Sequence, residues 1–216
     1  MQCEPLQRLS LVDGAYAAIK QRILSGQLAP GTALNIDALR REMGVSNAPI
    51  REALRRLEHE RWIETVPFRG AFVRPFDAAE LADLYELREM LELAAIEKIL
   101  PRPRAEGVAR LAEALDEIRS ALARQDAAAY LSADIRFHQA IVDMAENGRL
   151  SGVYATLVEQ GRCFVLRRRL DDSAKCRHEA TEHAELLEAI RSGHKALAKR
   201  LIRSHVRALL EQERPT

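Results

Sequence analysis

Little in this chain favours a secreted, membrane-bound or β-rich protein. Its three cysteines, Cys3, Cys163 and Cys176, are odd in number and scattered, which argues against a disulfide framework and fits a reducing compartment. No apolar stretch approaches the ~20 residues of a membrane span, and the opening M-Q-C-E-P-L-Q-R-L lacks the hydrophobic core of a signal peptide. The expected location is the cytoplasm. Aromatic residues make up only 5% of the chain, while alanine, leucine, glutamate and arginine abound, which tilts it toward helix. Internal repeats and low-complexity tracts are absent. A large charge of either sign is lacking too, since the net charge is +1. Residues 1–75 hold 11 Lys and Arg against 8 Asp and Glu, and residues 76–216 hold 22 against 24. A slightly basic head on a slightly acidic body suits DNA binding through a small patch. Ordinary variation in surface charge accounts for so small a difference equally well.

What the sequence does contain is two constellations within 216 residues, enough for one large or two small domains. The first runs from Ile36 to Leu57. Ala38, Leu39 and Met43 give the first of two short helices an apolar face. Gly44 can leave that helix with positive φ, Ser46 can cap the next, and Pro49 sits in its first turn. In the second helix Ile50, Ala53, Leu54 and Leu57 form one stripe, and Ala48, Arg51, Glu52 and Arg55 point away from it. This is a helix-turn-helix pattern whose second helix could enter a major groove; a plain helical corner has the same pattern. Two β-prone runs follow, Ile63–Val66 and Ala71–Val73, around a turn at Pro67–Gly70. They predict a wing with Arg69 and Gly70 at its tip. A helix over Val12–Ser25 and a turn at Gly26–Gly31 precede the whole. The residues expected to face DNA are Ser46, Asn47, Ala48, Arg51, Arg55, Arg69 and Gly70.

The boundary falls at Arg74-Pro75-Phe76, with Asp77 as the cap of the next helix, so the expected domains are 1–75 and 76–216. Six helices follow, over Asp77–Leu100, Arg104–Arg124, Ala127–Glu146, Leu150–Leu170, Lys175–Arg191 and Lys195–Glu213. The breaks between them lie at Pro101–Pro103, Asn147-Gly148, Asp171–Ser173 and Ser192-Gly193. Short connections make this an antiparallel six-helix bundle, and the chain as a whole mainly α. The second constellation lies in the bundle. Asp134 and His138 are four residues apart on one helix face. His183 comes 10 residues before Gly193 and His205 12 after it, so their imidazoles reach nearly the same height in an antiparallel pair. One carboxylate and three imidazoles suit a divalent transition ion, zinc first, with nickel or manganese as alternatives. Helical histidines are also common as surface or hydrogen-bonded core residues; His59, His178 and His194 are given no ligand role. Arg88 could face inward and hold a carboxylate, or lie on a solvated face paired with Glu92. The arginines at 162 and 167–169 read as surface.

The order of helix, L-x-P-G turn, I-R-E-A-L-R-R-L and P-x-R-G-A-F-V over residues 12–75 resembles the winged head of GntR-family transcription regulators. Arg51 matches a family position that touches DNA. Asn47 and Ala48 replace a common arginine and threonine, Arg61 a glycine, and Asp37 an arginine found in some members. Over residues 77–213, D-x-x-x-H, E-H-x-x-L-L-x-A-I and a histidine in the last helix resemble the FCD effector domain of the FadR-type branch. Six bundle helices resemble its VanR-like group. The resemblance implies a metal held by Asp134, His138, His183 and His205, a small organic-acid effector near Arg88, and a ligand-responsive regulator, expected to repress. A homodimer pairing through the broad helix faces would sit on a short inverted repeat of double-stranded DNA. No membrane is involved. The competing reading is a metallohydrolase on the same Asp/His3 site, which would leave the head unexplained.

Overall fold

The computed structural model describes residues 7–75, 78–165 and 173–212. They fall into two compact units, Met1–Phe76 and Asp77–Thr216. The first contains α1 (Gln7–Leu24), β1 (Ala33–Leu34), α2 (Ile36–Met43), α3 (Asn47–His59), β2 (Ile63–Val66) and β3 (Gly70–Val73). Apolar stripes close it: Ile19 and Ile23 of α1, Leu39 of α2 and Ile50, Ala53, Leu54 and Leu57 of α3 are all buried, as are Trp62 and Ile63 at the start of the hairpin. Fully burying such a side chain contributes about 1.5–3 kcal/mol, so the apolar stripe of α3 determines which face of that helix stays outside.

Gly44 ends α2 in the left-handed region, at φ 64°, where a side chain would be strained. Two caps differ from expectation. Ser46 occupies the cap position of α3, but its side chain makes no capping bond. The working cap is Asn35 at α2, whose Oδ1 accepts from Ala38 N at 3.0 Å. The hairpin of β2 and β3 forms in the antiparallel register Ile63↔Val73 to Val66↔Gly70. A third strand, β1, adds to β3 through Ala33↔Phe72 and Leu34↔Ala71. Two residues are too few to show a period-two pattern, so nothing in the sequence announced it. Helix α1 also starts earlier than Val12, because no breaker interrupts Gln7–Leu11.

The second unit contains α4 (Ala78–Ile99), α5 (Ala105–Ala123), α6 (Ala127–Asp143), α7 (Gly148–Val165), α8 (Ser173–Arg191) and α9 (Lys195–Gln212). Its core runs through all six, from Leu81 and Ile96 through Leu111, Ile118, Phe137 and Ile141 to Tyr154, Ile190, Ile202 and Val206. Asn147-Gly148, read as the stop of α6, is instead the start of α7. Asn147 Oδ1 accepts from the amides of Arg149 and Leu150 at 3.2 Å each, which is N-cap chemistry. Helix α6 ends at Asp143, three residues before the expected Glu146, and Glu146 makes the turn at φ 49°. Asp77, the break at Asp171 and Asp172, and the side chains of the three cysteines and of the arginines at 162 and 167–169 lie outside the described residues. Among those described, no helix is long and apolar enough to cross a membrane.

Gly193 joins α8 to α9 at φ 73°, and a Cβ there would lie 2.6 Å from the carbonyl oxygen of Pro101. Both the dihedral and the backbone contact exclude a side chain. Gly193→Ala is therefore expected to destabilise the bundle by about 1–3 kcal/mol, read by urea unfolding. An unchanged midpoint would contradict the close approach of that turn to Pro101.

Candidate functional site

Helix α6 buries Tyr130, Asp134, Phe137 and His138 along one stripe, which brings Asp134 and His138 to the bundle axis. His183 comes from α8 and His205 from α9. Their four ligand atoms lie within 4.8 Å of one another, and all four residues are buried. His138 stacks on His205 with ring centroids 4.9 Å apart, and His183 stands edge-on to both. Phe137, fully buried, packs edge-on against His138 and His183 and closes the site on its side.

Hydrogen bonds outside this cluster determine which nitrogen of each ring faces inward. His183 Nδ1 lies 2.6 Å from the backbone carbonyl of Glu179. A carbonyl oxygen only accepts, so Nδ1 carries the proton. His138 Nδ1 lies 2.8 Å from Glu92 Oε2, and His205 Nδ1 lies 2.8 Å from Glu182 Oε2. Both partners are carboxylates, and the same logic places a proton on each Nδ1. The three Nε2 atoms are then lone pairs. His138 Nε2 and His183 Nε2 face each other at 3.1 Å, and His183 Nε2 lies 3.0 Å from Asp134 Oδ1. His205 Nε2 and Asp134 Oδ1 have no hydrogen-bond donor. Four acceptors thus converge in a buried space, an arrangement that repels itself unless a cation or extra protons share it. Three imidazole nitrogens and one carboxylate oxygen are the donor set of a borderline divalent ion, so the residues present fit one.

The carboxylates behind the ligands were not singled out from the sequence. Glu92 is fully buried and accepts from Arg88 Nε at 2.8 Å and Tyr154 Oη at 2.6 Å as well as from His138. Arg88 does pair with Glu92 at i+4, but in the interior and not on a solvated face. Its side chain is 10% exposed, and its Nη2 is buried without an acceptor. Glu179, besides its carbonyl bond to His183, accepts from Tyr130 Oη at 2.5 Å. The usable signal was helical spacing: Glu92 four residues after Arg88, and Glu179 four before His183.

In the first unit, Ser46, Asn47, Ala48, Arg51 and Arg55 are all exposed along the outer face of α3, opposite its buried stripe. Arg55 pairs loosely with Glu52 at 3.4 Å. Arg69 and Gly70 are exposed at the hairpin tip, where Gly70 takes φ 97° and the Arg69 guanidinium lies 5.7 Å from the ring centroid of Phe72. The sequence reading missed Phe68. It is fully exposed at the same tip and sits at φ 64°, a conformation that costs a bulky residue on the order of 1 kcal/mol. An exposed phenylalanine held in a strained turn beside Arg69 is a signal only the backbone could provide.

Burial pushes His205 down to about 4 despite the Glu182 hydrogen bond, and burial also lowers His138. Burial alone would raise Glu92 and Asp134, but the His138 and Arg88 partners hold Glu92 well below the carboxylate range, and the Arg88 charge acts in the same direction on Asp134. Between pH 4 and 6.5 the unfolded chain binds more protons at His205 than the folded one, and His138 acts in the same direction, so stability falls as pH falls through that window. Below it the carboxylates add to the loss. The thermal midpoint of chelator-treated protein is expected to drop steadily from pH 7 to pH 4; a flat profile would mean that His138 and His205 are not buried neutral.

Residues 83–208 match the FCD domain family, and residues 11–73 match the bacterial regulatory proteins of the gntR family. An HTH-type transcriptional regulator from an unstable DNA locus of Streptomyces ambofaciens is 30% identical over 204 residues, covering 91% of this chain and 82% of that protein. The galactonate operon transcriptional repressor of Escherichia coli K12 is 28% identical over 203 residues, 85% of this chain and 88% of its own. Among solved structures, a GntR transcriptional regulator from Rhodococcus sp. RHA1 superposes with a TM-score of 0.82 at 24% identity, over 94% of this chain and 97% of that one, which shows the shared fold. These relatives are regulators, and the metallohydrolase alternative gains no support from them. With both units matched in order, the chain is a DNA-binding transcriptional regulator and belongs to the GntR family, in the branch that carries an FCD domain.

Proposed function

We propose that the regulator binds a divalent transition ion, zinc first, with nickel or manganese as alternatives, through Asp134, His138, His183 and His205. On this reading a small carboxylate bound beside that ion alters operator affinity. The carrying observation is that ligand atoms of three imidazoles and the Asp134 carboxylate converge within 4.8 Å of one another inside the bundle, while each Nδ1 is turned to an oxygen acceptor. A bound divalent ion supplies positive charge and open coordination positions, both attractive to a carboxylate. Arg88 is the second anchor: its Nη2 is a buried cationic donor without an acceptor, which a carboxylate oxygen would satisfy.

The first unit serves as the DNA-binding domain and the second as the effector and dimerisation domain. Leu87 and Met90 of α4 and Val153 of α7 are large apolar side chains left 40%, 55% and 53% exposed, which favours pairing of two copies through those helices. Two heads then read a short inverted repeat, each with Ser46, Asn47, Ala48, Arg51 and Arg55 in a major groove and Arg69 and Gly70 on the wing. The name of the E. coli relative supports repression as the outcome. A regulator that binds chromosomal DNA would act in the cytoplasm, which is the location proposed. Effector binding would favour one bundle geometry and so change the fit of the heads to the half-sites, which is allostery by differential affinity.

Two experiments test the two halves. On a duplex selected from a random library, Arg51→Ala is expected to cost about 1–3 kcal/mol of specific affinity. Phe68→Gly should also weaken binding, through lost apolar contact at the wing, while the fold loses nothing. Wild-type affinity in Arg51→Ala would remove α3 from the groove. In the bundle, His183→Ala is expected to lose bound metal by elemental analysis and to lose the response of DNA binding to a panel of small carboxylates, while retaining DNA binding itself. Full metal content with an intact response would sink the ion site.

A further inference from the structure

Glu92 joins three helices of this unit. It sits on α4, is fully buried, and accepts from Arg88 of its own helix, His138 of α6 and Tyr154 of α7. The two oxygens are divided between them. Oε1 takes Arg88 Nε at 2.8 Å and Tyr154 Oη at 2.6 Å, and Oε2 takes His138 Nδ1 at 2.8 Å. We infer that Glu92 is the positioning residue that keeps His138 Nε2 free of a proton and turned toward Asp134, His183 and His205, and that it links the Arg88 anchor to that ligand. The inference rests on the ion-binding reading above.

The reason lies in what each partner can do. A guanidinium only donates, so the oxygen facing Arg88 must accept. The imidazole can do either, and the second oxygen decides which: a carboxylate there demands Nδ1–H and leaves Nε2 as a lone pair. An amide in place of the carboxylate offers only one oxygen. Directed at His138, that oxygen would leave the NH2 group against the buried Arg88 cation, donor against donor. The amide therefore gives its oxygen to Arg88 and Tyr154 and its NH2 to His138. His138 Nδ1 must then accept, which moves the imidazole proton to Nε2. There it finds an acceptor already in place, His183 Nε2 at 3.1 Å. The tautomer change is thus favoured from both ends, and it puts a hydrogen where an ion would bind. Arg88 enters because its charge dictates the orientation of the amide. Glu182 and the Glu179 carbonyl fix the other two rings independently, so the effect should be confined to His138.

The test uses full-length protein with nitrogen-15-labelled histidine, stripped of metal by a chelator. Long-range nitrogen–proton correlation spectra report which imidazole nitrogen carries the proton. In the wild type the three site histidines, His138, His183 and His205, are expected as Nδ1–H. In Glu92→Gln, His138 alone of these three should become Nε2–H, and zinc titrated against a competing chelator should bind about 10–100-fold more weakly. Tyr154→Phe removes a hydrogen bond from the same carboxylate without touching His138, and is expected to leave the tautomer unchanged. A purely structural role for Glu92 would move the melting temperature of both variants and the tautomer of neither. The inference is overturned by a wild-type His138 protonated on Nε2, a measurement that needs no variant to fold. It is equally overturned by a folded Glu92→Gln that keeps Nδ1–H and wild-type zinc affinity. Absence of zinc binding by the wild type would instead overturn the ion-binding reading, and the metal-free tautomer would still decide the role of Glu92.

Discussion

Four hydrogen-bond acceptors facing one another in a buried space are the constraint on which the bundle is arranged. Unpaired polar groups in the interior are costly, and like-signed lone pairs at about 3 Å are costlier. The fold sustains them because each imidazole is anchored from behind: His138 by Glu92, His183 by the Glu179 carbonyl, His205 by Glu182. The anchors come from α4 and α8, and the four converging residues from α6, α8 and α9, so the packing of four helices meets at one point. Phe137 is fully buried against His138 and His183, and Ile141 and Ile202, three residues along the chain from His138 and His205, are fully buried as well.

The two units solve opposite problems. In the first, an ordinary apolar core is used to leave a face uncommitted. Burying Ile50, Ala53, Leu54 and Leu57 orients α3, and the exposed side carries Asn47, Arg51 and Arg55, which among the described residues have no firm side-chain partner beyond the loose Arg55–Glu52 contact. Around its edge a tighter network stiffens the support: Tyr16 and Trp62 both donate to Glu60 Oε2, at 2.5 and 3.1 Å, which ties α1 to the end of α3. In the second unit polarity is buried and organised. A surface that reads DNA needs accessible charge at low cost, whereas a site that discriminates a small ligand needs charge out of water, where each interaction is stronger.

Arg88 illustrates how the two environments change the meaning of one motif. An arginine and a glutamate four residues apart on a helix normally describe a solvated ion pair worth a few tenths of a kcal/mol. Here the same spacing lies on the inward face of α4, so Glu92 is shared with His138 and Tyr154 while Arg88 retains a donor to spare. The pair is the same in both cases; only burial makes it part of a site.

Periodicity along the chain determined the mainly helical architecture, the helix-turn-helix and hairpin order, and the alignment of Asp134 with His138. Those features depend on neighbours three or four residues apart, where a helix leaves little freedom. The pairing of His183 with His205 was legible for a related reason: a short turn at Gly193 fixes the register of two antiparallel helices. Other features required the folded chain. Strand β1 has no pattern of its own and exists because β3 offers it an edge. Asn147 could stop one helix or start the next, and the local hydrogen bonds chose the latter. The strained Phe68 at the wing tip depends on a dihedral that composition does not encode. Above all, the roles of Glu92, Glu179 and Glu182 arise from contacts between helices 23 to 46 residues apart, or from a backbone carbonyl whose partner is set by side-chain rotation. Sequence determines which residues share a face; only tertiary packing decides which nitrogen of a histidine that face presents.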